Sequence, residues 1–398
     1  MKYNPTKTLI DGVNRRDAMR FTALASALAL AGCGGGSGSN VAGVTSGGTG
    51  SFSTGAITGF GSIIVGNVRF DDSKASSIVD IDDDNTDLRG TLKLGMVVRV
   101  KGKPRTGASA DAETIEVRSE LLGPVDSIDA GARTLVVLGQ TVVVTATTFF
   151  EENLALPMLR ANDIVEVHGF VDPENNVITA TRIERKTLAN TKAFKLQGNI
   201  SALTATTFQI GDQVISIAAL GAVPARLTLA KDLTVRVRLE PTLGAGTRRA
   251  LTIRAVELEL ADRHEAEVEG TITAFTSSTS SGQFSVNGLA VDARGVTSAP
   301  ALKLGDRVEV EGKLVNGILV ATKVALEDEK DRLKFELRGT VGSLTATTFV
   351  VRGVTVDYSA AEFRNGTVAD LVKDARVEVK GVASADGTRV KATRISFD

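Results

Sequence analysis

A short pattern of alternating apolar and charged residues recurs along the chain. Its clearest copy is LGDRVEVEG at residues 304–312, in which Val308 and Val310 alternate with Glu309 and Glu311. Alternation with a period of two is typical of a β-strand with one buried and one exposed face. Similar segments are LGMVVRVKG at 94–102, ANDIVEVHG at 161–169, DLTVRVRL at 232–239 and DARVEVKG at 374–381. The sequence therefore predicts five copies of one small β unit.

The residues around each copy set the limits of the units. Each unit opens with a short apolar strand containing Gly, continues into a hairpin with a Gly turn, and ends in a strand such as ATRI or ATKV. The predicted units are residues 54–119, 121–186, 196–260, 267–327 and 336–398.

A segment with some helical character precedes the recurring strand, clearest at 367–373 (TVADLVK). Around 154–160 a second such segment contains Pro157, which would break a long helix. Three strands, a short helical link and two strands is the order of an OB-type barrel. The predicted fold class is all-β, a tandem array of five small OB-like five-stranded barrels, and a plain antiparallel meander is the alternative. Charged connections such as 325–335 predict a semi-rigid rod of units.

Residues 1–32 have the features of an export signal. Arg15 and Arg16 precede the apolar run FTALASALALA, which is too short for a membrane-spanning helix and suits a signal peptide. The paired arginines resemble the twin-arginine export signal. General secretion is the alternative, because Met19 and Arg20 stand where the twin-arginine signal usually has Phe and Leu.

Cys33 ends this segment in the sequence LAGC, which resembles the lipobox of bacterial lipoproteins. It is the only cysteine of the chain, so it forms no internal disulfide. The resemblance implies a mature N-terminus carrying a diacylglycerol and an amide-linked acyl chain such as palmitate, and several acyl chains anchor a protein firmly. An unmodified thiol is the alternative. Gly34, in place of Asp, points to the periplasmic side of the outer membrane, and residues 33–53 form a predicted flexible tether.

The charge of the chain excludes a general affinity for nucleic acid. The chain has 46 basic and 47 acidic residues and no Trp, whereas OB folds that bind single strands need a basic groove with aromatic platforms. Basic residues such as Arg236, Arg238, Arg248 and Arg249 are predicted to lie on a solvated face. No nucleic-acid partner is therefore expected.

No motif of an enzyme or of a transition-metal site is present. His168 and His264 are far apart in sequence and are predicted to be plain surface residues. The segment TATTF at Thr145, Thr204 and Thr345 is interpreted as strand-forming sequence, since the three copies differ in register. The chain lacks G-x-S-x-G, P-loop and dinucleotide-binding motifs. No catalytic residue and no cofactor is predicted.

An acidic run in the first unit is the one local feature with metal-binding character. Asp80, Asp82 and Asp84 alternate as at the start of a calcium loop, and carboxylate oxygens suit Ca²⁺. However, Asn85 replaces the turn glycine and Thr91 replaces the bidentate Glu of such a loop. A solvated acidic turn is therefore preferred to a calcium site.

Several segments together resemble one known family. GFGSIIVGNVRFD at 59–71, SIDAGARTLVVLGQTVVV at 127–144, LGDRVEVEG at 304–312 and the ATRI ends are similar to the bacterial domain-of-unknown-function family 5666, small β domains repeated in envelope lipoproteins. The resemblance covers nearly all of the chain after Cys33, and the third unit is the poorest match. It implies a location and a fold and supplies no catalytic residues.

We therefore expect a non-enzymatic outer-membrane lipoprotein with a structural or protein-binding role, in contact with the membrane and with an envelope protein. The alternatives are an accessory binding protein for an exported small ligand or polysaccharide, and an undetected enzyme. The units share apolar positions predicted to face inward, such as Val308 and Ile318, whereas their outward charges vary. Specific contacts are thus expected in an atypical unit, either the first with its acidic run or the third with its divergent strand.

Overall fold

The structure is a computed structural model. It describes residues 50–82, 86–172, 177–218, 224, 227–242, 246–256, 262–275, 282–327 and 334–397. These residues belong to one compact unit. Their regular elements are β-strands and single 3₁₀ turns, which confirms the all-β class.

The strands fall into five consecutive groups, and the first group begins at Ser51, which lies within the segment 33–53 predicted to be a flexible tether. The first group is β1 (Ser51–Phe60), β2 (Ile63–Val65), β3 (Val68–Asp71), β4 (Ser77–Asp80), β5 (Thr86–Asp87), β6 (Val97–Gly102) and β7 (Ser109–Val117). The second is β8 (Leu121–Asp129), β9 (Thr134–Val137), β10 (Gln140–Phe150), β11 (Ile164–Asp172) and β12 (Val177–Lys186). The third is β13 (Phe194–Leu203), β14 (Thr207–Ile210), β15 (Gln213–Ser216), β16 (Thr234–Leu239) and β17 (Arg248–Ala255). The fourth is β18 (Arg263–Phe275), β19 (Gln283–Val286), β20 (Leu289–Asp292), β21 (Arg307–Val315) and β22 (Ile318–Leu326). The fifth is β23 (Phe335–Leu344), β24 (Thr348–Val351), β25 (Val354–Asp357), β26 (Glu362–Arg364), β27 (Arg376–Ala383) and β28 (Val390–Phe397).

Strand pairing in the second unit closes on itself. β8 pairs antiparallel with β9, β9 with β10, and β10 runs parallel to β12. β12 then pairs antiparallel with β11, and β11 returns to β8. The result is a small closed five-stranded barrel, which leaves no long unpaired edge.

The other units repeat the same order of pairing. In the fourth unit the order is β18, β19, β20, β22, β21 and back to β18, again with one parallel pair, between β20 and β22. In the fifth unit β25 and β28 form the parallel pair, in the third β15 and β17, and in the first β3 and β7. The predicted repeat is therefore present in the structure.

The predicted glycine hairpin turns are found. Leu138 and Gly139 both have positive φ, as do the pairs Asn287–Gly288 and Arg352–Gly353. Positive φ at both central residues defines the two-residue turn that matches the twist of paired strands, and Gly adopts this conformation without a steric cost.

The predicted helical links are much shorter than expected. Residues 367–373 form the 3₁₀ turn Val368–Asp370, in which Thr367 and Asp370 make a capping box, and residues 154–160 form the turn Leu156–Met158 around Pro157. Further 3₁₀ turns are Asp72–Lys74 and Leu188–Asn190. No α-helix occurs within the described ranges. The backbone N–H groups of Leu159 and Leu371 donate to carbonyls three residues earlier, those of Leu156 and Val368, which is the bonding of a 3₁₀ turn.

The recurring strands bury the predicted apolar face. Val308 and Val310 are fully buried, and Phe208, Phe284 and Phe349 lie inside their barrels. Ile318, predicted to face inward, is 42% exposed, and Leu319 is buried in its place. Because side chains alternate along a strand, an offset of one residue moves a side chain to the opposite face.

The predicted rod of successive units is wrong. β1 pairs in parallel with both β18 of the fourth unit and β23 of the fifth. Units of the described part that are distant in sequence also touch through side chains. The rings of Phe149 and Phe335 pack edge to face with centroids 4.6 Å apart. Strands that extend beyond their own barrel provide these contacts, and they bury faces that a rod would leave in solvent.

Candidate functional site

Contacts between the first three units bury a charged network. On the recurring strands Arg99 and Glu166 are each 9% exposed, Arg236 is 7% exposed and His168 is 1% exposed. The alternation of buried and exposed positions therefore breaks down here, since neighbouring units cover the outer faces. We call this region the junction, comprising Asp80, Asp82, Arg99, Glu116, Arg118, Glu120, Glu166, His168, Arg182, Glu184, Lys186, Lys195 and Arg236.

The acidic run of the first unit reaches the third unit at the junction. Asp80 Oδ2 lies 2.5 Å from Lys195 Nζ, and Asp82 Oδ2 lies 2.5 Å from Arg236 Nη2. Burial opposes ionisation of Asp82, but the Arg236 guanidinium holds its pKa below the ordinary value. Asp84 lies outside the described residues. The predicted solvated turn is thus corrected, because Asp80 and Asp82 are enclosed and paired with cations of the same chain.

The second unit contributes a connected set of ion pairs. Lys186 Nζ lies 3.0 Å from Glu166 Oε2 and 2.6 Å from Glu184 Oε2, while Glu184 Oε1 accepts from Arg182 Nε at 2.5 Å. Lys195 Nζ lies 3.5 Å from Glu166 Oε1. Burial opposes their ionisation, yet the cations hold the pKa of Glu184 at about 2 and that of Glu166 well below its usual range. Both carboxylates remain charged in the protein interior.

His168 is not the surface residue that the sequence predicted. Its Nδ1 lies 2.9 Å from the carbonyl oxygen of Arg118, which can only accept, so Nδ1 carries the proton. Burial lowers the pKa of His168, so its ring is neutral at neutral pH. The side chain of His264 lies outside the described part.

The prediction of a solvated basic face is also corrected in part. Arg236 donates to the carbonyl of Ser119 and is buried. Arg248 is 6% exposed, donates to Gln213 Oε1 at 3.0 Å and lies over the Phe194 ring. Arg249 is on the surface, where it pairs with Glu240 at 2.7 Å. The adjacent residues Arg248 and Arg249 thus differ in environment, since the first is buried and the second is exposed.

Two cavities of about 320 and 490 Å³ border the junction. They share Asp80, Leu88, Glu166 and Lys186 as lining residues. The charged residues that both cavities share, Asp80, Glu166 and Lys186, already form the ion pairs described above. The junction is therefore best understood as an internal polar connection between units.

A larger cleft lies where the first, fourth and fifth units meet. Its volume is about 1140 Å³. Its walls include Thr58 and Arg69 of the first unit, Glu309 of the fourth, and Lys380 and Arg394 of the fifth. Three units separated widely in sequence are thus needed to form it.

The charges of the cleft are arranged by depth. The carboxylates Glu269 and Glu336 are nearly buried, with side chains 5% and 16% exposed, and they pair with Arg307 and Arg69. Lys323 and Lys380, by contrast, have side chains 54% and 50% exposed. Phe335 is the aromatic residue of the lining, and it is buried against Phe149. The cleft therefore has an acidic floor, a rim of mixed charge that includes the 52% exposed side chain of Glu362, and no exposed aromatic platform among its lining residues.

The TATTF threonines form turns. Thr204 Oγ1 accepts from the backbone N–H of Thr207 at 2.9 Å, and Thr345 Oγ1 accepts from Thr348 at 3.0 Å. In the second unit Thr145 lies at the end of the hairpin, and its own N–H donates to Thr148 Oγ1. Such bonds stabilise turns locally.

The predicted export and lipidation residues Arg15, Arg16 and Cys33 lie outside the described residues. In the part of the chain that the structure covers, no helix is long and apolar enough to cross a membrane. Within the same ranges no group of three or more His, Cys, Asp or Glu side chains is arranged to hold a metal ion.

Comparison with solved structures gives a match described as "drosophila Unr CSD456". The two chains are 13% identical with a TM-score of 0.14, and the match covers 53% of this chain and 98% of the other. A likeness at this TM-score carries no weight for fold or function. No curated protein matches the chain.

Comparison with protein families finds one family that matches three separate segments of the chain. The family described as "Domain of unknown function (DUF5666)" matches residues 123–184, 269–325 and 338–396. These segments coincide with the second, fourth and fifth units and include their closed strand pairing. Three of the five units therefore match the model of the DUF5666 family.

Proposed function

We propose that this chain is a non-enzymatic, lipid-anchored protein of the bacterial outer membrane. In this proposal five OB-like barrels are packed into one body on the periplasmic side, and the cleft between the first, fourth and fifth units binds a segment of another envelope protein. Export follows the twin-arginine signal at Arg15 and Arg16, and Cys33 carries the lipid. No cofactor and no nucleic acid takes part.

The strand order supports the assignment of OB-like units. Each unit closes a circle of five strands, in which the third and the last strand run parallel, as β10 and β12 do in the second unit, and the remaining pairs of the circle are antiparallel. A single 3₁₀ turn occupies the position of the OB link in the second and fifth units, at Leu156–Met158 and Val368–Asp370. The link of an OB barrel is thus reduced to one turn.

The cleft is the observation that carries the binding role. Its volume of about 1140 Å³ is above the range of roughly 300–1000 Å³ usual for small-molecule sites. This size favours an extended ligand. A polysaccharide is less well suited, since Phe335, the aromatic residue of the lining, is buried. Alternating Lys, Arg and Glu side chains at the rim suit the mixed charges of a protein segment.

Reversing two rim charges should weaken this binding. Lys380→Glu combined with Arg394→Glu places two like charges near Glu336 and Glu362 and should lower partner affinity at least about tenfold, since tenfold corresponds to 1.4 kcal/mol. The measurement is photo-cross-linking from position Thr393 in whole envelopes, with the cross-linked partner identified and quantified by mass spectrometry.

Lys313→Glu is the matched control, because Lys313 is exposed on β21 and lies outside the cleft lining. The control should recover the partner as the wild type does. Equal recovery by the cleft variant and the control would contradict the assignment of the cleft.

The proposed lipid anchor can be tested by replacing Cys33, the residue that carries the lipid. Replacing Cys33 with Ser should abolish incorporation of radioactive palmitate and release the protein from the membrane fraction, because the thioether-forming sulfur is removed. Ser37→Ala, in the same Gly- and Ser-rich segment, should leave labelling unchanged. A Cys33→Ser protein that still pellets with outer membranes after carbonate extraction would show that another feature anchors the chain.

A further inference from the structure

Four carboxylates of the fourth unit stand on one face of two paired strands. The register of β18 and β21 places Glu267 opposite Glu311 and Glu269 opposite Glu309. Residues two apart on a strand point to the same side, so all four share one face. Like charges directly opposite each other destabilise a sheet. We call these four residues the carboxylate array.

The corresponding strands of the fifth unit avoid this conflict. β23 and β27 place Glu336 opposite Lys380 and Arg338 opposite Glu378. Arg338 Nη2 lies 2.5 Å from Glu378 Oε2. The same pair of strands thus carries opposite charges in the fifth unit and like charges in the fourth.

The β2–β3 turn of the first unit sits on the array. The backbone N–H of Asn67 donates to Glu267 Oε1 at 2.6 Å, and Asn67 Nδ2 donates to Glu309 Oε1 at 2.9 Å. A Cβ at Gly66 would lie 2.2 Å from Glu267 Oε1 and would displace this carboxylate, and the positive φ of Gly66 (+62°) favours glycine there. Arg105 of the first unit lies 3.2 Å from Glu267 Oε2. The array is therefore part of the contact between the first and fourth units.

Cations compensate the array unevenly. Arg307 pairs with Glu269 and also with Glu327. Lys323 Nζ lies 2.5 Å from Glu311 Oε1 but 3.6 Å from Glu309 Oε1, and the lysine side chain is 54% exposed. Among the ion pairs of the described residues, Glu309 thus has a distant, solvated cation, Lys323, beside three neighbouring carboxylates.

This environment favours protonation at the contact. Burial, followed by the charge of Glu267, raises the pKa of Glu309 from 4.5 to about 7, and burial raises the pKa of Glu267. A raised pKa means that the folded protein binds the proton more tightly than the unfolded chain does. The resulting stabilisation is complete below pH 4.5 and is lost as the pH rises through about 7.

We infer that the carboxylate array makes the contact between the first and fourth units pH-dependent, tight at mildly acidic pH and looser above neutrality. Glu309, Glu269 and Asn67 also line the cleft. The array therefore regulates the shape of the cleft floor, and this consequence for binding rests on the proposed function.

Hydrogen exchange of the full-length protein, without any partner, tests the inference. The amides of the hairpin at residues 63–71 report on this contact, and their protection factors are calculated against unstructured exchange at the same pH. Protection should fall by at least about tenfold between pH 6 and pH 8.5, because the pKa of Glu309, about 7, lies one unit above pH 6 and each unit corresponds to a factor of ten. The hairpin at residues 348–357 of the fifth unit serves as the internal reference and should keep its protection.

Two variants locate the effect. Glu309→Gln is neutral at both pH values and should remove the fall in protection, whereas Glu378→Gln, the equivalent residue of the fifth unit, should keep it. If Glu309→Gln loses protection in β10 as well and is therefore misfolded, Glu311→Gln should reduce the fall instead. Constant protection of the wild-type hairpin, or a fall that persists in a folded Glu309→Gln protein, would overturn the inference.

The result of the hydrogen-exchange experiment can be distinguished from the result of the cross-linking experiment that tests the proposed function. The exchange experiment contains no partner, so a pH-dependent hairpin stands even if the Lys380 and Arg394 variant binds normally. Conversely, loss of cross-linking in that variant together with a constant hairpin would support the cleft and refute its control by the array.

Discussion

Replacing Arg236 with Ala should lower the free energy of unfolding by about 3–5 kcal/mol, the typical cost of removing one partner of a buried ion pair. Arg236 is 7% exposed and its guanidinium meets Asp82, whose side chain is 5% exposed. Without the arginine, the Asp82 carboxylate would stay buried with a distant cation, or would take up a proton. Urea denaturation followed by circular dichroism measures the change.

Arg249→Ala is the matched control on the next strand. Arg249 pairs with Glu240, but their side chains are 47% and 38% exposed, so the expected loss is at most about 1 kcal/mol. Asp82→Asn combined with Arg236→Met should recover much of the stability lost in the single variant, because both charges of the Asp82–Arg236 pair are removed together. A single Arg236→Ala variant as stable as Arg249→Ala would show that the ion pair does not hold the units together.

The strands and turns could be predicted because their causes are local. The alternation Val308, Glu309, Val310 is decided within one strand, and a Gly after a β segment, such as Gly139, indicates a hairpin wherever the segment lies. The helical links are shorter than the sequence predicts. In the segment 154–160, Pro157 supplies no backbone N–H, and a single 3₁₀ turn forms around it.

The environments of the charged residues could not be predicted from the same pattern. An outward residue on a strand has the same sequence signature whether solvent or another barrel covers it. Lys195 and Asp80 are 115 residues apart, and Arg236 and Ser119 are 117 apart, so no local window contains both members of either pair. The strand pattern predicts a surface position for His168 for this reason, although the residue is buried.

One signal for the junction was present in the sequence. The acidic run around Asp80 and Asp82 occurs in the first unit alone, whereas the recurring strand carries two outward basic residues in both the first unit (Arg99 and Lys101) and the third (Arg236 and Arg238). The acidic run departs from the repeat, and the sequence alone predicts an external contact for such an atypical unit. In the structure the run instead meets a basic strand of the same chain, as the ion pair between Asp82 and Arg236 shows.

No feature of the sequence indicated the cleft between the first, fourth and fifth units. Its walls come from three units, and residues such as Arg69 and Lys380 look like ordinary surface charges in their own strands. The pairing of β1 with both β18 and β23 brings these residues together. That pairing uses backbone groups, which any sequence with strand character provides.

Replacing Phe52 with Ala should also cost about 3–5 kcal/mol, the usual range for deleting a fully buried Phe side chain. Phe52 lies in β1 of the first unit, but it is 0% exposed within the core cluster of the fourth unit, together with Val268, Val310 and Phe284. Its strand runs parallel to β18, with Phe52 paired to Ala266. The cavity left by the truncation would therefore open inside the fourth barrel.

The location of the damage distinguishes this packing from an ordinary core position of the first unit. Hydrogen exchange of Phe52→Ala should show the largest loss of protection in β18, β21 and β22. Phe60→Ala, in the same strand, should instead reduce the hydrogen-exchange protection of the first and fifth units, because Phe60 packs in the cluster with Ile57 and Leu337. If Phe52→Ala loosened the first unit and spared the fourth, the N-terminal half of β1 would not be a structural part of the fourth barrel. The two phenylalanines lie eight positions apart on one strand, so opposite exchange patterns would directly show that β1 joins the cores of separate units.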